Sequence, residues 1–197
     1  MLPRIEPQSP DFPPWEQIDI VIVGEAPGRD EVTAGIPFVG QAGKLLDEML
    51  IAAGIDRSLC YVTNVFLLRP PNNKVAHFFV TPSEALQSNT PYCSELPAYG
   101  SNLYLRKEFY PELERLTGEI SLIKPKAVIA LGATAMWAFT GIGTGITKER
   151  GSMYSSNLVP SMIVFPTLHP AYVLRNRDSI ETVVDDLKQV KQYINTH

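Results

Sequence analysis

Cysteine is scarce in this chain of 197 residues, which carries Cys60 and Cys93 and no others. Two thiols are too few for the disulfide framework of a small secreted protein. They are also too few to hold an iron–sulfur cluster or a tetrahedral zinc ion unless other side chains complete the ligand set. We therefore expect two reduced thiols in a cytoplasmic protein.

Long apolar runs and a secretion signal are also missing. No segment stays apolar over the roughly 20 residues that a membrane-spanning helix needs. Residues Met1 to Trp15 contain five prolines but neither a basic start nor an apolar core, which is typical of an extended arm and not of a signal peptide. We expect residues 1–16 to be this arm and residues 17–197 to form a single domain that makes no contact with membranes.

Positive charge is in short supply, because 17 Lys and Arg face 21 Asp and Glu and give a formal net charge of -4. This balance argues against a protein coated in basic residues. It does not exclude an enzyme of nucleic acids, since phosphate binding depends on the local contacts that are made. Hydrophobic residues make up 45% of the chain, enough for one compact soluble domain with a substantial core.

Four short apolar runs alternate with segments of helical periodicity. The predicted strands are residues 18–23, 61–66, 127–131 and 162–165. The predicted helices are residues 41–53, 103–123, 133–139 and 180–194, and residues 72–102 are expected to be mainly loop. This alternation predicts an α/β fold, a three-layer αβα sandwich around a central, mainly parallel four-stranded sheet.

The first and last predicted strands run directly into loops rich in polar residues, Gly and Pro. The first loop is Gly24-Glu25-Ala26-Pro27-Gly28, and the second is Thr167-Leu168-His169-Pro170-Ala171. Because the carboxyl ends of parallel strands meet at one edge of a sheet, we expect these loops to converge on one crevice. The sequence therefore predicts a functional site at this edge.

Five segments, taken in order, resemble the uracil-DNA glycosylase superfamily and most closely its family four. They are Gly24-Glu25-Ala26-Pro27-Gly28, residues 35–43, residues 61–65, Arg69-Pro70-Pro71-Asn72-Asn73-Lys74 and His169-Pro170-Ala171. The resemblance implies an enzyme that flips uracil out of DNA and hydrolyses the bond between base and sugar, leaving an abasic site for base excision repair. Its partner would be uracil-containing DNA, and it would act as a monomer without a metal.

The resemblance also implies roles for side chains around the base. His169 and Glu25 are the implied catalytic residues, with His169 near the base oxygen and Glu25 near the water and the sugar. This placement suits the reaction, because negative charge grows on the departing base and positive charge on the sugar. Phe38 would stack on the base, and the Asn64 amide, which both donates and accepts, would distinguish uracil from cytosine.

Other residues are implied at the edges of the same site. Further substrate contacts are implied for Gly24, Ala26 and Glu31, and DNA contacts for Gly40, Gln41, Tyr172 and Arg175. The Glu31 carboxylate could crowd out the methyl group of thymine, and the helix start near Gln41 offers free N–H groups to a phosphate. Tyr172 and Arg175 follow His169, where the superfamily inserts a wedge into the gap left by the flipped base.

The cysteine pattern departs from that of family four, which holds a four-iron cluster through four cysteines. Leu68 stands where the family has a cysteine directly before Arg-Pro-Pro, and the arm has none. Cys93 is interpreted as a remnant of the fourth ligand. We predict that no cluster and no other cofactor is bound, and that Leu68 and an insertion around residues 75–110 replace the cluster as packing.

The insertion contains His77, a few residues before Thr81-Pro82-Ser83. A related branch of the superfamily uses a loop His near a comparable Thr-Pro-Ser as the nucleophile at the sugar carbon. The basic run that precedes the His in that branch is missing here. Covalent capture by His77 is therefore kept as an alternative to attack by water.

Each of the four main candidates also has an ordinary structural explanation. Phe38 could plug the core, Asn64 could cap a turn, His169 could be a polar loop residue, and Glu25 could accept backbone N–H groups. Two other functions fit the resemblance: a glycosylase for another modified or deaminated base, and a catalytically silent nucleic-acid-binding protein. A nucleotide-phosphate enzyme fits less well, because the Walker lysine and the spaced dinucleotide glycines are absent.

Overall fold

The computed structural model describes residues 1–10 and 18–197. Over these residues the strands are β1 (Ile20–Gly24), β2 (Tyr61–Asn64), β3 (Phe79–Val80), β4 (Tyr104–Leu105), β5 (Ala127–Leu131), β6 (Tyr154–Ser155) and β7 (Ile163–Thr167). The α-helices in the same ranges are α1 (Arg29–Ala34), α2 (Gly40–Ala52), α3 (Pro82–Ser88), α4 (Tyr110–Ile123), α5 (Ala133–Thr140), α6 (Ile146–Glu149), α7 (Pro170–Val173) and α8 (Ile180–Thr196).

A central sheet with the strand order β2-β1-β5-β7-β6 organises the molecule. The first four of these strands run parallel, and β6 pairs antiparallel with β7. The predicted α/β fold with a mainly parallel sheet is confirmed. The predicted number of four strands is wrong, because within the described residues this sheet has five. The extra strand β6 is two residues long, too short to leave an apolar run in the sequence.

Alternate residues of the strands feed two apolar cores on opposite faces of the sheet. In β1, Val21 and Val23 pack with α4 and α5, whereas Ile20 and Ile22 pack with α2 and α8. Side chains of a strand point alternately to its two faces, so a strand buried on both sides is apolar throughout. The result is the predicted three-layer sandwich.

The region predicted as one helix over residues 103–123 has a different structure at its start. Tyr104–Leu105 is strand β4, paired antiparallel with β3, and the α-helix begins at Tyr110 with Pro111 in its first turn. Leu105 is buried in the same apolar core as residues of α4, so its spacing from them in the sequence resembles a helical period. The prediction failed because burial, and not a helical backbone, produced the pattern.

The predicted loop over residues 72–102 contains a helix, α3. Thr81 caps it by accepting the backbone N–H of Glu84, and the Glu84 side chain accepts the backbone N–H of Thr81. This reciprocal capping box is readable in the sequence as Thr-Pro-Ser-Glu. The helix is seven residues long, so it leaves only a short periodic pattern in the sequence.

Residues 1–10 of the predicted arm lie along the open edge of β2. Gln8 exchanges two backbone hydrogen bonds of 2.8 Å with Val62, and Arg4 forms an antiparallel bridge with Leu68. Ile5 is buried, with 2% of its surface exposed. The rest of the arm, residues 11–16, lies outside the described residues, and the division into an arm and one domain stays a prediction.

In the two described ranges, none of the helices combines the length and the apolar character needed to cross a membrane.

Candidate active site

The loops after β1 and β7 and the end of β2 border a cavity of about 440 Å³. The predicted site residues that line it are Glu25, Ala26, Glu31, Phe38, Asn64, His169, Tyr172 and Arg175. This volume is in the range of pockets that enclose small ligands. The structure thus brings together side chains from distant parts of the chain, at the carboxyl edge of the sheet where the strand pattern predicted a site.

Gly24 makes the convergence of two of these side chains possible. A Cβ atom at Gly24 would lie 2.4 Å from both the Asn64 Oδ1 atom and the tip of the Phe38 ring. No real Cβ atom approaches other atoms so closely. The lack of a side chain at Gly24 leaves the space in which Phe38 and Asn64 approach the same cavity. We interpret the predicted role of Gly24 at the substrate site in this way.

Phe38 sits in a constrained turn before α2. Its φ angle is 53°, a left-handed conformation that is uncommon for a bulky residue. Arg57 holds the turn by donating to the carbonyl oxygens of Phe38 at 3.1 Å and Pro37 at 2.9 Å. Gly43 allows the Phe38 carbonyl to lie against α2, since a Cβ there would come within 1.9 Å of this oxygen. The ring is part of the core and also lines the cavity, and its stacking on a base stays a prediction.

Asn64 ends β2 with its side chain at the cavity and only 3% of its surface exposed. Arg115 from α4 donates to the backbone carbonyls of Asn64 at 2.7 Å and Val65 at 2.9 Å, which fixes the strand end. The Asn64 carboxamide makes no hydrogen bond to any residue that the structure describes, so it caps no turn there. The carboxamide is therefore open to a ligand or to water at the cavity.

Glu25 follows β1 and faces the cavity. Its Oε2 atom accepts a hydrogen bond of 2.5 Å from the Thr134 hydroxyl on α5, and the Tyr99 hydroxyl lies 3.2 Å behind Thr134. Burial raises the pKa of the Glu25 carboxyl, and the hydrogen bond from Thr134 opposes this rise. A carboxylate held by one side-chain donor in a partly dry cavity keeps its other oxygen for a ligand.

His169 precedes α7, and its ring is held by the backbone. The Ala171 N–H donates to the His169 Nδ1 atom at 3.1 Å, so this nitrogen carries no proton and Nε2 carries it. Desolvation lowers the pKa of His169 to about 4, with a smaller effect from the positive charge of Arg175. The ring is therefore neutral near pH 7 and presents one N–H donor at a fixed position.

The predicted DNA-binding residues lie on both sides of the cavity mouth. Tyr172 and Arg175 line the cavity, and 38% of the Tyr172 surface is exposed. Gly40 and Gln41 line a neighbouring depression of about 350 Å³ at the start of α2. Glu31 borders both depressions, so the two are continuous along one surface.

His77 is not brought to the cavity. It lies in a short 3-10 helix, Val75–Phe78, and its ring packs against the rings of Phe78 and Phe109 at 5.8 and 5.7 Å. The residues that line the cavity do not include it. These contacts give His77 a structural role, because its ring packs with two aromatic rings.

The two cysteines lie in different layers of the fold. Cys60 belongs to the core that contains α2 and α8, and Cys93 belongs to the core on the other face of the sheet. Burial raises the pKa of the Cys60 thiol to about 12, so it remains protonated. Over residues 1–10 and 18–197, no group of three or more His, Cys, Asp or Glu side chains could hold a metal ion. These donors do not fit the four-cysteine cluster that the resemblance implies.

Four residues at the site were missed from the sequence. Asn73 lines the cavity, Thr134 binds Glu25, and Arg57 and Arg115 hold the backbone of Phe38 and Asn64, which line it. Asn73 stands in a segment that carries the resemblance, which is the signal for it in the sequence. The other three act through contacts with distant residues, for which the sequence offers no local signal.

Comparison with known proteins identifies the family of the chain. The chain matches the family model described as "Uracil DNA glycosylase superfamily" over residues 10–194. It is 37% identical over 178 residues to the type-4 uracil-DNA glycosylase of Thermotoga maritima, covering 89% of this chain and 77% of that protein. It is 34% identical over 184 residues to the type-4 enzyme of Sulfurisphaera tokodaii, covering 90% of this chain and 71% of that protein.

A third relative, the type-4 uracil-DNA glycosylase of Archaeoglobus fulgidus, is 33% identical over 180 residues, with 89% of this chain and 76% of that protein covered. The resemblance stated from the sequence is confirmed by these matches, which extend over nearly the whole chain. The chain belongs to the uracil-DNA glycosylase superfamily, and the relatives that it matches are of type 4.

Proposed function

We propose that the protein is a monofunctional uracil-DNA glycosylase, which releases uracil from DNA and leaves an abasic site for base excision repair. The relatives named as type-4 uracil-DNA glycosylases support this substrate. The observation that carries the proposal is that Glu25, Phe38, Asn64 and His169 line a single cavity. A cavity of this kind accepts a base only after it has left the double-helical stack, so the proposal includes base flipping.

Phe38 and Asn64 bind the flipped base in this proposal. The Phe38 ring offers an apolar face, and the Asn64 carboxamide offers one donor and one acceptor that make no hydrogen bond within the described part of the chain. Uracil presents a carbonyl oxygen next to an N–H group, which matches this pair. Cytosine presents an amino group next to an unprotonated nitrogen. In the orientation of the Asn64 amide that matches uracil, donor would therefore face donor and acceptor would face acceptor. Arg57 and Arg115 keep the two recognition residues in place.

His169 and Glu25 lower the barrier in this proposal. As the bond from the sugar carbon to the base breaks, its electron pair stays on the base, and the Nε2–H of neutral His169 donates to the base oxygen where this charge collects. The Glu25 carboxylate stabilises the positive charge on the sugar and orients water, which adds to the sugar carbon and gives up one proton that neutralises the released uracil anion. His77 has no step in this reaction, because it lies outside the cavity lining.

The surfaces beside the cavity bind DNA in this proposal. The N–H groups of Gly40 and Gln41 at the start of α2 would meet a phosphate, and Arg175 would meet another. Tyr172 would fill the gap that the flipped base leaves in the stack. Ala26 and Glu31 border the base, and the Glu31 carboxylate would exclude the methyl group of thymine.

We further propose that the enzyme works without an iron–sulfur cluster, as a monomer in the cytoplasm. The placement of Cys60 and Cys93 in opposite layers supports the first statement, because two separated thiols cannot replace four convergent ones. Purified protein is expected to contain no stoichiometric iron or sulfide and to lack the absorbance near 400 nm of such clusters. Iron bound at four atoms per chain would contradict this, and gel filtration with light scattering tests the monomer.

The test of the function is release of free base from defined oligonucleotides. Uracil should be released in single turnover from strands that contain one deoxyuridine, whereas thymine and cytosine in the same context should not. The variants His169→Ala and Asn64→Ala should lose most of this activity while retaining the circular dichroism spectrum of the parent. Folded parent protein that releases no uracil would contradict the proposal.

The same assay decides between the alternatives. Oligonucleotides with hypoxanthine, xanthine or hydroxymethyluracil report another base specificity if one of them is processed faster than uracil. A folded protein that binds DNA but releases none of these bases would be the silent binding protein. A denaturing gel shows whether any DNA remains covalently attached, which is the outcome that His77 as nucleophile requires.

A further inference from the structure

The insertion around residues 75–110 reaches the active site through one side chain. Tyr99 stacks on Phe79 of β3 with ring centroids 4.7 Å apart, and it meets Trp137 of α5 edge to face at 6.0 Å. The Trp137 indole N–H donates to the Pro97 carbonyl at 2.8 Å, which fastens the chain just before Tyr99. The phenol is thus anchored on both sides with its hydroxyl directed at Thr134.

Three groups form a chain of hydrogen bonds that ends at Glu25. The Thr134 hydroxyl is completely buried and lies 2.5 Å from Glu25 Oε2 and 3.2 Å from the Tyr99 oxygen. The carboxylate accepts only, so Thr134 donates to Glu25, and the geometry makes the Tyr99 oxygen a second, more distant acceptor of the same Thr134 proton.

We propose that Thr134 and Tyr99 are positioning residues for Glu25, and that the insertion thereby supplies part of the machinery for glycosidic bond cleavage. This inference rests on the proposed function, in which the Glu25 carboxylate meets the water and the sugar. Thr134 holds one carboxylate oxygen and leaves the other free, while Tyr99 is the second acceptor of the Thr134 proton. Neither residue touches the substrate, since the cavity lining includes neither of them.

The Thr134 and Tyr99 hydroxyl groups also influence the pH range over which Glu25 is ionised. Burial favours the neutral acid, whereas a donor to the carboxylate favours the ion, and these effects oppose each other at Glu25. The charged or titratable groups that line the same cavity are Glu31 from α1, Tyr172 from α7, and His169 and Arg175 on either side of α7. From α5 and the insertion, the groups behind Glu25 are the neutral hydroxyls of Thr134 and Tyr99.

Three variants of the full chain test the proposal. Thr134→Val removes the hydroxyl at nearly constant volume, Thr134→Ser retains it, and Tyr99→Phe removes the phenol oxygen but keeps the stacked ring. Tyr104→Phe is the matched control within the same insertion, because the Tyr104 ring packs against Tyr92 and not at the site. Two quantities are measured for each: the pH profile of single-turnover uracil release, and the carbon-13 titration of the Glu25 carboxyl, assigned with Glu25→Gln.

Thr134→Val is expected to move the Glu25 titration and the acid limb of the rate profile to higher pH by about one unit, with a roughly tenfold lower rate on the plateau. Tyr99→Phe should produce a smaller shift to lower pH, because Thr134 then donates its proton to Glu25 alone, and Thr134→Ser and Tyr104→Phe should match the parent. His169 also titrates in acid, and the assigned carboxyl signal separates its contribution from that of Glu25.

A Glu25 titration that is identical in parent, Thr134→Val and Tyr99→Phe would overturn the proposal, even if the rates fall. Should Thr134→Val fail to fold, Tyr99→Phe decides alone, because its ring contacts are preserved. Failure of the proposed function is a separate outcome: the parent would then release no uracil, while the carboxyl titration still shows whether the hydroxyl groups act on Glu25.

Discussion

The rings of Phe38 and His169 face the same cavity with their centroids 5.8 Å apart and their planes tilted by 34°. Phe38 belongs to the turn before α2 and His169 to the loop before α7. These two segments also pack against each other through α2 and α7, which fixes the distance between a surface for stacking and a hydrogen-bond donor. An aromatic base on Phe38 would therefore have its edge within reach of His169.

The neutral state of His169 predicts how stability depends on pH. In the unfolded chain His169 gains its proton near pH 6.5, but in the fold only near pH 4. The unfolded state therefore binds more protons between these values, so the contribution of His169 makes the protein less stable as the pH falls through this window. Above about pH 6.5 the effect vanishes. From pH 7.5 to 4.5 the parent should lose about 2 to 3 kcal/mol more than His169→Gln in urea unfolding.

His197 is exposed, so His197→Gln is the control variant. Its loss of stability between pH 7.5 and 4.5 is compared with that of the parent in the same way. If parent and His169→Gln lose stability in parallel over the window, then the fold does not lower the pKa of His169, and burial does not hold its ring neutral.

Asn64 should control which pyrimidine is released. In Asn64→Asp the donor to the uracil oxygen is replaced by a second acceptor, and a negative charge lies beside that oxygen. Uracil release should fall by about 100-fold, since a buried acceptor would face another acceptor. Cytosine, which presents an amino group at this position, should lose its disadvantage. Single-turnover release from matched deoxyuridine and deoxycytidine oligonucleotides measures the change in the ratio.

Asn102→Asp, at an exposed position of the insertion, is the control for the added charge and should leave the ratio unchanged. An unaltered preference for uracil in Asn64→Asp would remove Asn64 from base recognition.

Gly24 should not tolerate even one methyl group. The Cβ of Gly24→Ala would collide with the Phe38 ring and Asn64 Oδ1, each at 2.4 Å, so one of these side chains must move. We expect at least a tenfold loss of uracil release together with a loss of stability of about 1 to 3 kcal/mol. Chemical unfolding and the release assay give the two numbers.

Gly118 supplies the opposite control within the same protein. It lies on the exposed side of α4 with nothing within 4 Å of an added Cβ. Gly118→Ala should raise stability by up to about 1 kcal/mol through its helix propensity, and activity should not change. Equal behaviour of the two alanine variants would contradict the close packing at Gly24.

Arg57 should matter for substrate binding although it lies behind the Phe38 turn. It donates to two carbonyls of this turn, and it also binds Asp47 of α2 at 2.8 Å. In Arg57→Ala the strained φ of Phe38 loses its support, so the ring should become mobile and KM for uracil-DNA should rise by about tenfold. Arg57→Lys should recover part of the loss.

Lys126→Ala is the control, because Lys126 pairs with Asp19 at the opposite, amino end of the sheet. A normal KM in folded Arg57→Ala would show that the turn holds Phe38 without help.

The four parallel strands could be predicted because each is a short apolar run followed by Gly, Pro or a polar residue. The meeting of Glu25, Asn64 and His169 followed from this, since the ends of parallel strands share one edge. The strand β6 could not be predicted in the same way. Tyr154 and Ser155 are one intermediate and one exposed residue, and they pair with β7 because of where the chain returns.

The supporting residues of the site were hidden from the sequence for a related reason. Thr134, Arg57 and Arg115 each bind residues far away in the chain, and hydrogen bonds of this kind have no periodicity. Before folding, Thr134 is indistinguishable from any Thr in the first turn of a helix. Its importance arises only when β1 and β5 lie side by side, which places the start of α5 against Glu25.

Residues 1–10 occupy the outer edge of β2, and this has a consequence for the behaviour of the molecule in concentrated solution. Bare strand edges bind the edges of other molecules and so seed aggregates. Gln8 and Ile5 form backbone hydrogen bonds with Val62 and Leu67 of the same chain. Pro3, Pro7 and Pro10 lack the N–H groups that a strand of another molecule would need for pairing. The N-terminal segment thus covers this edge of β2, the strand that ends in Asn64, as a place where another molecule could pair.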